Sequence, residues 1–317
     1  MTQYIHTPVL LNEVLLYLAP RGNKDLMIDC NIAEGNHAFE FLVKYPELKL
    51  IGIDVDSEII AVAQKRLERF ADRVHFYTGW SHDFFADYPS QFKRPDIIFF
   101  DLGISSYHYK KSSRGFSFEN DEYLDMRLDI SGGVTAADLL NRLPEQELAD
   151  LFYNNAGERY SKRIASVVAD ERQKGKITST SALAELVKRA VPASYRHGPI
   201  HPATKVFMAL RIAVNGELSR LPELLRGALR VLEPEGRLGV ISFHSLEDKI
   251  VKNFFRSMNK DCICPKEAPI CRCEGRRSVN ILTKKGIAPA EDEIERNPPS
   301  RSARLRVAEK VLEEDSL

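Results

Sequence analysis

The first hundred residues of the chain repeat one pattern: a short, almost wholly apolar run, then a segment with apolar residues at helical spacing. The runs are residues 26–29, 48–54, 74–78 and 96–101; the helical segments are 9–18, 38–44 and 57–70. Runs rich in β-branched and aromatic residues that alternate with helices imply βαβ units and a parallel sheet. Three of the runs end in an acid, Asp29, Asp54 and Asp101. Ligands of open α/β sheets bind beyond the carboxyl ends of the strands. Those acids and the loops behind them are therefore the first candidates for function.

The rhythm stops after Gly103. Residues 136–143, 145–154, 161–174 and 181–191 read as helices, with no apolar strand of comparable quality among them. It resumes with helices at 202–214 and 218–232 and a strand at 239–243. The expected organisation is a sheet domain of residues 1–107 and 199–317, interrupted by a helical insertion of residues 108–198. The polar, Pro-punctuated stretch 261–295 reads as loop. No internal repeat is visible.

Lys plus Arg and Asp plus Glu both number 45, which excludes a uniformly basic nucleic-acid coat but leaves room for local patches. Residues 251–310 hold such a patch, with fourteen Lys or Arg against eight Asp or Glu. Arg276, Arg277, Lys284 and Lys285 form one cluster there; Arg301, Arg304 and Arg306 form another. Arg114, Phe116 and Phe118 offer a phosphate and stacking site of the kind that binds splayed bases, or else core aromatics. No apolar run nears the ~20 residues of a membrane span. The first residues carry His6, Asn12 and Glu13 and no basic stretch, unlike a signal peptide. Five cysteines form no disulfide framework, so the expected compartment is a reducing cytoplasm. Four of them, Cys262, Cys264, Cys271 and Cys273, could hold a tetrahedral structural zinc. Free thiols are the alternative, since C-x-C is a less usual spacing than C-x-x-C. Cys30 reads as a core residue.

The loop after the first strand runs Asp29-Cys-Asn-Ile-Ala-Glu-Gly35-Asn36-His37. A glycine there lets backbone approach a cofactor, and an acid ending the second strand can bind ribose hydroxyls. The dinucleotide fingerprint G-x-G-x-x-G is absent, which counts against NAD or FAD. Helix capping by these loop acids is the competing reading.

Longer motifs go further. They include His6-Thr-Pro-Val-Leu-Leu, Gly52-Ile-Asp54-Val-Asp56, Asp101-Leu-Gly-Ile-Ser-Ser106 and Arg114-Gly-Phe-Ser-Phe118. Next come Leu124-Asp-Met-Arg-Leu-Asp129, Gly157-Glu-Arg-Tyr160, His201-Pro-Ala-Thr204 and Arg211-Ile-Ala-Val-Asn215. The last are Ile241-Ser-Phe-His-Ser-Leu-Glu-Asp248 and Asn297-Pro-Pro-Ser-Arg-Ser-Ala-Arg-Leu-Arg306. With these the chain resembles the bacterial small-subunit rRNA cytosine-N4 methyltransferase H family from residue 6 to residue 306.

The resemblance implies a Rossmann-like S-adenosylmethionine-dependent methyltransferase sheet with an inserted helical domain for RNA recognition. It implies methylation of the N4 amine of a decoding-centre cytidine (cytidine 1402) in 16S rRNA of the small ribosomal subunit. Carried over, Gly35, Asn36 and His37 would meet the methionine part of the cofactor and Asp54 its ribose. Trp80, where the family usually has Phe, would pack near the adenine, and Asp101 and His108 complete the set. Arg114, Phe116, Phe118, Arg301 and Arg304 are the candidate RNA contacts. Ala33, Glu34 and Asn36 stand in a loop that the family usually makes glycine-rich, and His108 stands where it commonly has Gln.

The N4 lone pair of cytosine is delocalised into its ring. An acceptor that takes the amine N–H can localise the pair and later remove the proton, and Asp101 is the candidate for that role. His37 and His244 are further candidates, His244 more as a structural residue. A strongly anionic pocket is not required, because the cofactor's positive charge disappears as the methyl leaves. The altered loop motivates one alternative, a non-catalytic RNA-binding or ribosome-assembly protein. A protein or small-molecule acceptor is another.

Overall fold

The computed structural model of the chain describes residues 8–22, 25–198, 200–261 and 277–311. Its strands are β1 (Leu26–Asp29), β2 (Lys49–Asp54), β3 (Val74–Thr78), β4 (Ile97–Asp101), β5 (Arg237–Ser242), β6 (Val279–Ile281) and β7 (Arg304–Lys310). They form one sheet in the order β3-β2-β1-β4-β5-β7-β6. The first five are parallel, and β7 runs antiparallel to both β5 and β6. The chain lays strands outward on one side of β1 and then restarts on the other with β4. That reversal opens a crevice between the carboxyl ends of β1 and β4, where Asp29 and Asp101 stand.

Four helices accompany the first strands: α1 (Leu11–Tyr17), α2 (Asn36–Lys44), α3 (Ser57–Arg66) and α4 (Ser81–Ala86). Then follow α5 (Ser106–Lys110), α6 (Ala136–Arg142), α7 (Glu145–Ala156), α8 (Ser161–Glu171), α9 (Thr180–Ala190), α10 (Ala193–Arg196) and α11 (Ala203–Asn215). The last are α12 (Glu217–Val231), α13 (Ser245–Met258) and α14 (Glu291–Arg296). Among the described residues no helix is long and apolar enough to cross a membrane.

Successive strand side chains point to opposite faces, and here both faces are cores. Ile28, Ile98, Phe100 and Val240 pack with Leu225 of α12 and Phe255 of α13. Their neighbours Met27, Ile97, Phe99 and Ile241 pack with Val14, Phe41 and Ile60 of α1 to α3. Burial on both sides is why these strands read as continuous apolar runs.

The chain forms two compact units, Met1–Gly103 with Arg220–Leu317, and Ile104–Ser219. The second extends past the insertion boundary read at residue 198. Its core takes in Val206, Phe207 and Leu210 of α11 beside Phe152, Ile164 and Leu183. An amphipathic helix belongs where its apolar face is buried, and sequence spacing alone does not say against which partner.

The stretch 261–295 is not wholly loop. It contributes β6 and α14, and β7 follows. β7 escapes a reading by apolar pattern because its charges are neutralised from afar. Arg306 donates to both carboxylate oxygens of Asp248 at 2.6 and 3.0 Å. Lys310 Nζ donates to the Leu232 carbonyl at 2.9 Å.

Candidate active site

The loop between β1 and α2 is held by backbone bonds from Ile32 to the Ile53 carbonyl and from Gly35 to the Ile32 carbonyl, at 3.0 and 2.7 Å. Gly35 sits at φ 77°, left-handed, before α2. A Cβ there would also come within 3.3 Å of Leu67, so glycine suits the position on two counts. Ala33, two residues earlier, also takes a left-handed φ of 47°, which costs an L-residue roughly 1–2 kcal/mol. Replacing Ala33 with glycine is expected to stabilise the protein by about 0.5–1 kcal/mol after the entropy added to the unfolded chain. A thermal melt reads this, and an unchanged or lower Tm contradicts it.

Asp54 ties the first two loops together. Its Oδ2 accepts from the Ala33 amide and its Oδ1 from the Asp56 amide, both at 3.1 Å. Asp56 caps α3, accepting from the Glu58 amide at 2.9 Å. Asn36 takes a hydrogen bond from Arg66 of α3.

His37 is buried, and its Nε2 lies 2.9 Å from the Val9 carbonyl. A carbonyl can only accept, so Nε2 carries a proton and donates it there. Nδ1 is 3.5 Å from Asp101 Oδ2. The ring stands edge-on to Phe99, centroids 5.0 Å apart, which fixes its orientation.

Asp101 ends β4 with its side chain 27% exposed. Its Oδ1 is buried and has no hydrogen-bond partner among the described residues, and the same holds for Asp29 Oδ1. Burial first, and then the carboxylates of Asp29, Glu247 and Glu34, push the Asp101 pKa well up. Asp29 is pushed to about 7, mainly by burial and further by Asp54, against a backbone hydrogen bond from Asn31. Burial and Asp29 also raise the Cys30 thiol well above its usual range, so it stays protonated in the core. The cleft thus gathers several acids, and their burial and crowding favour the protonated forms of Asp101 and Asp29. Asp29 is one of the strand-end acids singled out in the sequence, with no role assigned to it there; Glu247 was missed, because it arrives from α13, far along the chain.

His244 acts as the structural residue expected. It caps α13 in a capping box, its Nδ1 accepting from the Glu247 amide at 3.4 Å. Glu247 Oε2 accepts from the Phe243 and His244 amides at 2.9 and 3.3 Å. Trp80 precedes α4, and the exposed Arg220 guanidinium lies over its ring, 4.5 Å from the centroid.

Four of the other candidates belong to the helical unit, and two to the sheet unit. His108 belongs to the helical unit, buried against Phe116 with centroids 5.5 Å apart. Arg114 is buried there too, its guanidinium 3.3 Å from the Leu128 carbonyl, and Phe116 is a core residue. Phe118 packs between His201 and Phe207, centroids 4.5 and 5.0 Å away. Arg114 and Phe116, expected as a phosphate and stacking site or else as core, are both buried in the helical unit. Arg301 is exposed and Arg304 half-buried. Arg304 pairs with Ser242 of β5, which puts it at the sheet end that carries Asp101. Arg306, grouped with them in sequence, is committed to Asp248. Cys262, Cys264, Cys271 and Cys273 lie outside the described residues; among those described, no His, Cys, Asp or Glu group is arranged to hold a metal.

The profile of the MraW methylase family matches residues 3–311. The chain belongs to that family. It is 51% identical over 309 residues to the ribosomal RNA small subunit methyltransferase H of Treponema denticola, covering 98% of each chain. It is 43% identical over 310 residues to the enzyme of the same name from Carboxydothermus hydrogenoformans, covering 98% of this chain and 99% of that one. Among solved structures, an rRNA methylase from Streptococcus thermophilus is similar with a TM-score of 0.40 at 10% identity, over 95% and 94% of the two chains. The motif resemblance is borne out across nearly the whole chain, and the sheet is of the expected Rossmann-like class.

Proposed function

We propose that the protein is an S-adenosylmethionine-dependent methyltransferase that modifies the N4 amine of a decoding-centre cytidine in small-subunit rRNA. The relatives' names support the RNA substrate. The observation that carries the chemistry is the part-exposed Asp101 carboxylate at the β1–β4 crevice, 3.5 Å from His37 Nδ1.

The residues present fit such a cofactor. Asp29, Glu34, Asp101 and Glu247 bring carboxyl groups to one cleft, where a bound cation would favour their ionised forms, and Asp54 at the end of β2 is assigned to the ribose hydroxyls. Gly35, Asn36 and His37 are assigned to its amino-acid end and Trp80 to its adenine. Bound there, S-adenosylmethionine would supply a methyl group on a cationic sulfur, leaving as a neutral thioether. The part-exposed Asp101 carboxylate accepts an N–H of the incoming amine and localises the nitrogen lone pair. After transfer the same carboxylate takes the surplus amine proton, and His37 Nδ1, beside Oδ2, can share it. Holding the amine in line for attack supplies most of the acceleration. The acids also answer the altered loop: Glu34 adds a carboxyl group to the cleft rather than removing a binding group.

Transfer of a labelled methyl group from S-adenosylmethionine into RNA of small ribosomal subunits that lack this modification tests the reading. Label in protein or in no macromolecule contradicts it. Trp80→Ala is expected to weaken S-adenosylmethionine binding about 5- to 100-fold, the range of a lost stacking platform. Calorimetry reads this, and an unchanged Kd removes the adenine from Trp80.

A further inference from the structure

At the opposite end of the sheet from Asp101 lies an open cavity of about 450 Å³. The described residues that line it are Arg256, Asn259, Arg277, Asn280, Ile281 and Lys284. They come from three places: the last turn of α13, the entry and body of β6, and the turn beyond it. β6 pairs Ile281 with Ala308, and Ala308 pairs with Leu238 near the start of β5. The cavity therefore sits by the amino ends of the parallel strands. α13 links the two ends: Glu247 in its first turn acts on Asp101, and Arg256 comes about 13 Å further on at 1.5 Å per residue.

Three cations and two side-chain amides line this space with no carboxylate among the described lining residues. Arg256 and Lys284 are exposed and pair with no acid among the described residues. Arg277 has one distant partner, Asp261 at 3.9 Å, in an exposed and therefore weak pair. Like charges gathered with no carboxylate among the described lining residues repel one another, and an anionic ligand relieves that repulsion. Guanidinium forks and amide N–H groups suit phosphate oxygens in particular.

We propose that this groove is a phosphate-backbone anchor for the RNA substrate, separate from the catalytic end. It rests on the RNA reading above and adds where the folded RNA is gripped. A backbone held here by charge and a base taken at Asp101 would divide affinity from chemistry between the two ends of α13.

The test is the double charge reversal Arg256→Glu/Lys284→Glu in the full chain, with unchanged S-adenosylmethionine affinity as the check of folding. Binding to small ribosomal subunits and to protein-free 16S rRNA is measured across a salt series. The variant is expected to bind both RNAs about 10- to 100-fold more weakly at low salt. Its slope of log K against log salt should be smaller by about 2, about one per lost phosphate contact. Equal affinity and slope in variant and wild type overturn the anchor. So does loss confined to the assembled subunit, which would put an acidic ribosomal protein in the groove. Loss of inorganic phosphate binding with RNA binding intact also overturns it, making the groove a small-anion site. A wild-type protein with no salt-dependent RNA affinity at all would instead fail the RNA reading itself.

Discussion

Asp101→Asn is expected to lower methyl transfer by at least a hundredfold while leaving the fold intact. The substitution keeps shape but replaces a proton-accepting oxygen with an amide, and a positioned acid–base group contributes typically ~10²–10⁴-fold. Loss of stability does not confound the measurement. Burial and the neighbouring Asp29, Glu247 and Glu34 disfavour the ionised form of Asp101, so removing that charge is neutral or stabilising at and above neutral pH. The same crowding gives a direction for activity. The acceptor is the anion, so turnover in the wild type should rise with pH as this raised group ionises. Full turnover in Asp101→Asn with folded protein contradicts the role.

The second large effect is on stability. Asp29 is 2% exposed and its pKa in the folded protein is about 7, against 3.8 for the free side chain. Below the lower value both folded and unfolded chains carry the proton, and the group costs nothing. Between the two values the unfolded chain releases its proton while the folded one retains it. Stability therefore falls as pH rises through this window and levels off above about 7. At 1.36 kcal/mol per pKa unit the loss is on the order of 4 kcal/mol. Asp29→Asn can still accept the Asn31 amide and cannot ionise. Its Tm should exceed that of the wild type at pH 8, and its stability should decline much less between pH 4 and 7. Parallel stability–pH curves for the two proteins would contradict the assignment.

Most of the sheet was legible because its strands are buried on both faces and separated by helices with one apolar face. The acids that end β1, β2 and β4 were legible as a site for the same reason, since topology puts strand ends together. Other features depend on partners far away in the chain. β7 carries Arg306 and Lys310 inside the sheet because Asp248 and the Leu232 carbonyl receive them. Arg114 and Phe116 have the composition of an RNA contact, and only the packing shows that they are spent on the helical unit's interior. The crowding of acids around Asp101 needs Glu247, held in place by the cap of α13. Ala33 occupies a left-handed conformation that its residue type disfavours, so the loop keeps its course without the usual glycine.

The most direct test of the account is nucleoside analysis of 16S rRNA after incubating purified protein and S-adenosylmethionine with small subunits from a strain lacking this gene. The account predicts N4-methylated cytidine, present with the wild type and reduced at least a hundredfold with Asp101→Asn. Methyl groups on another base or another atom of cytosine would contradict the proposed use of Asp101. No methylation by a folded protein that binds S-adenosylmethionine would contradict the proposed substrate.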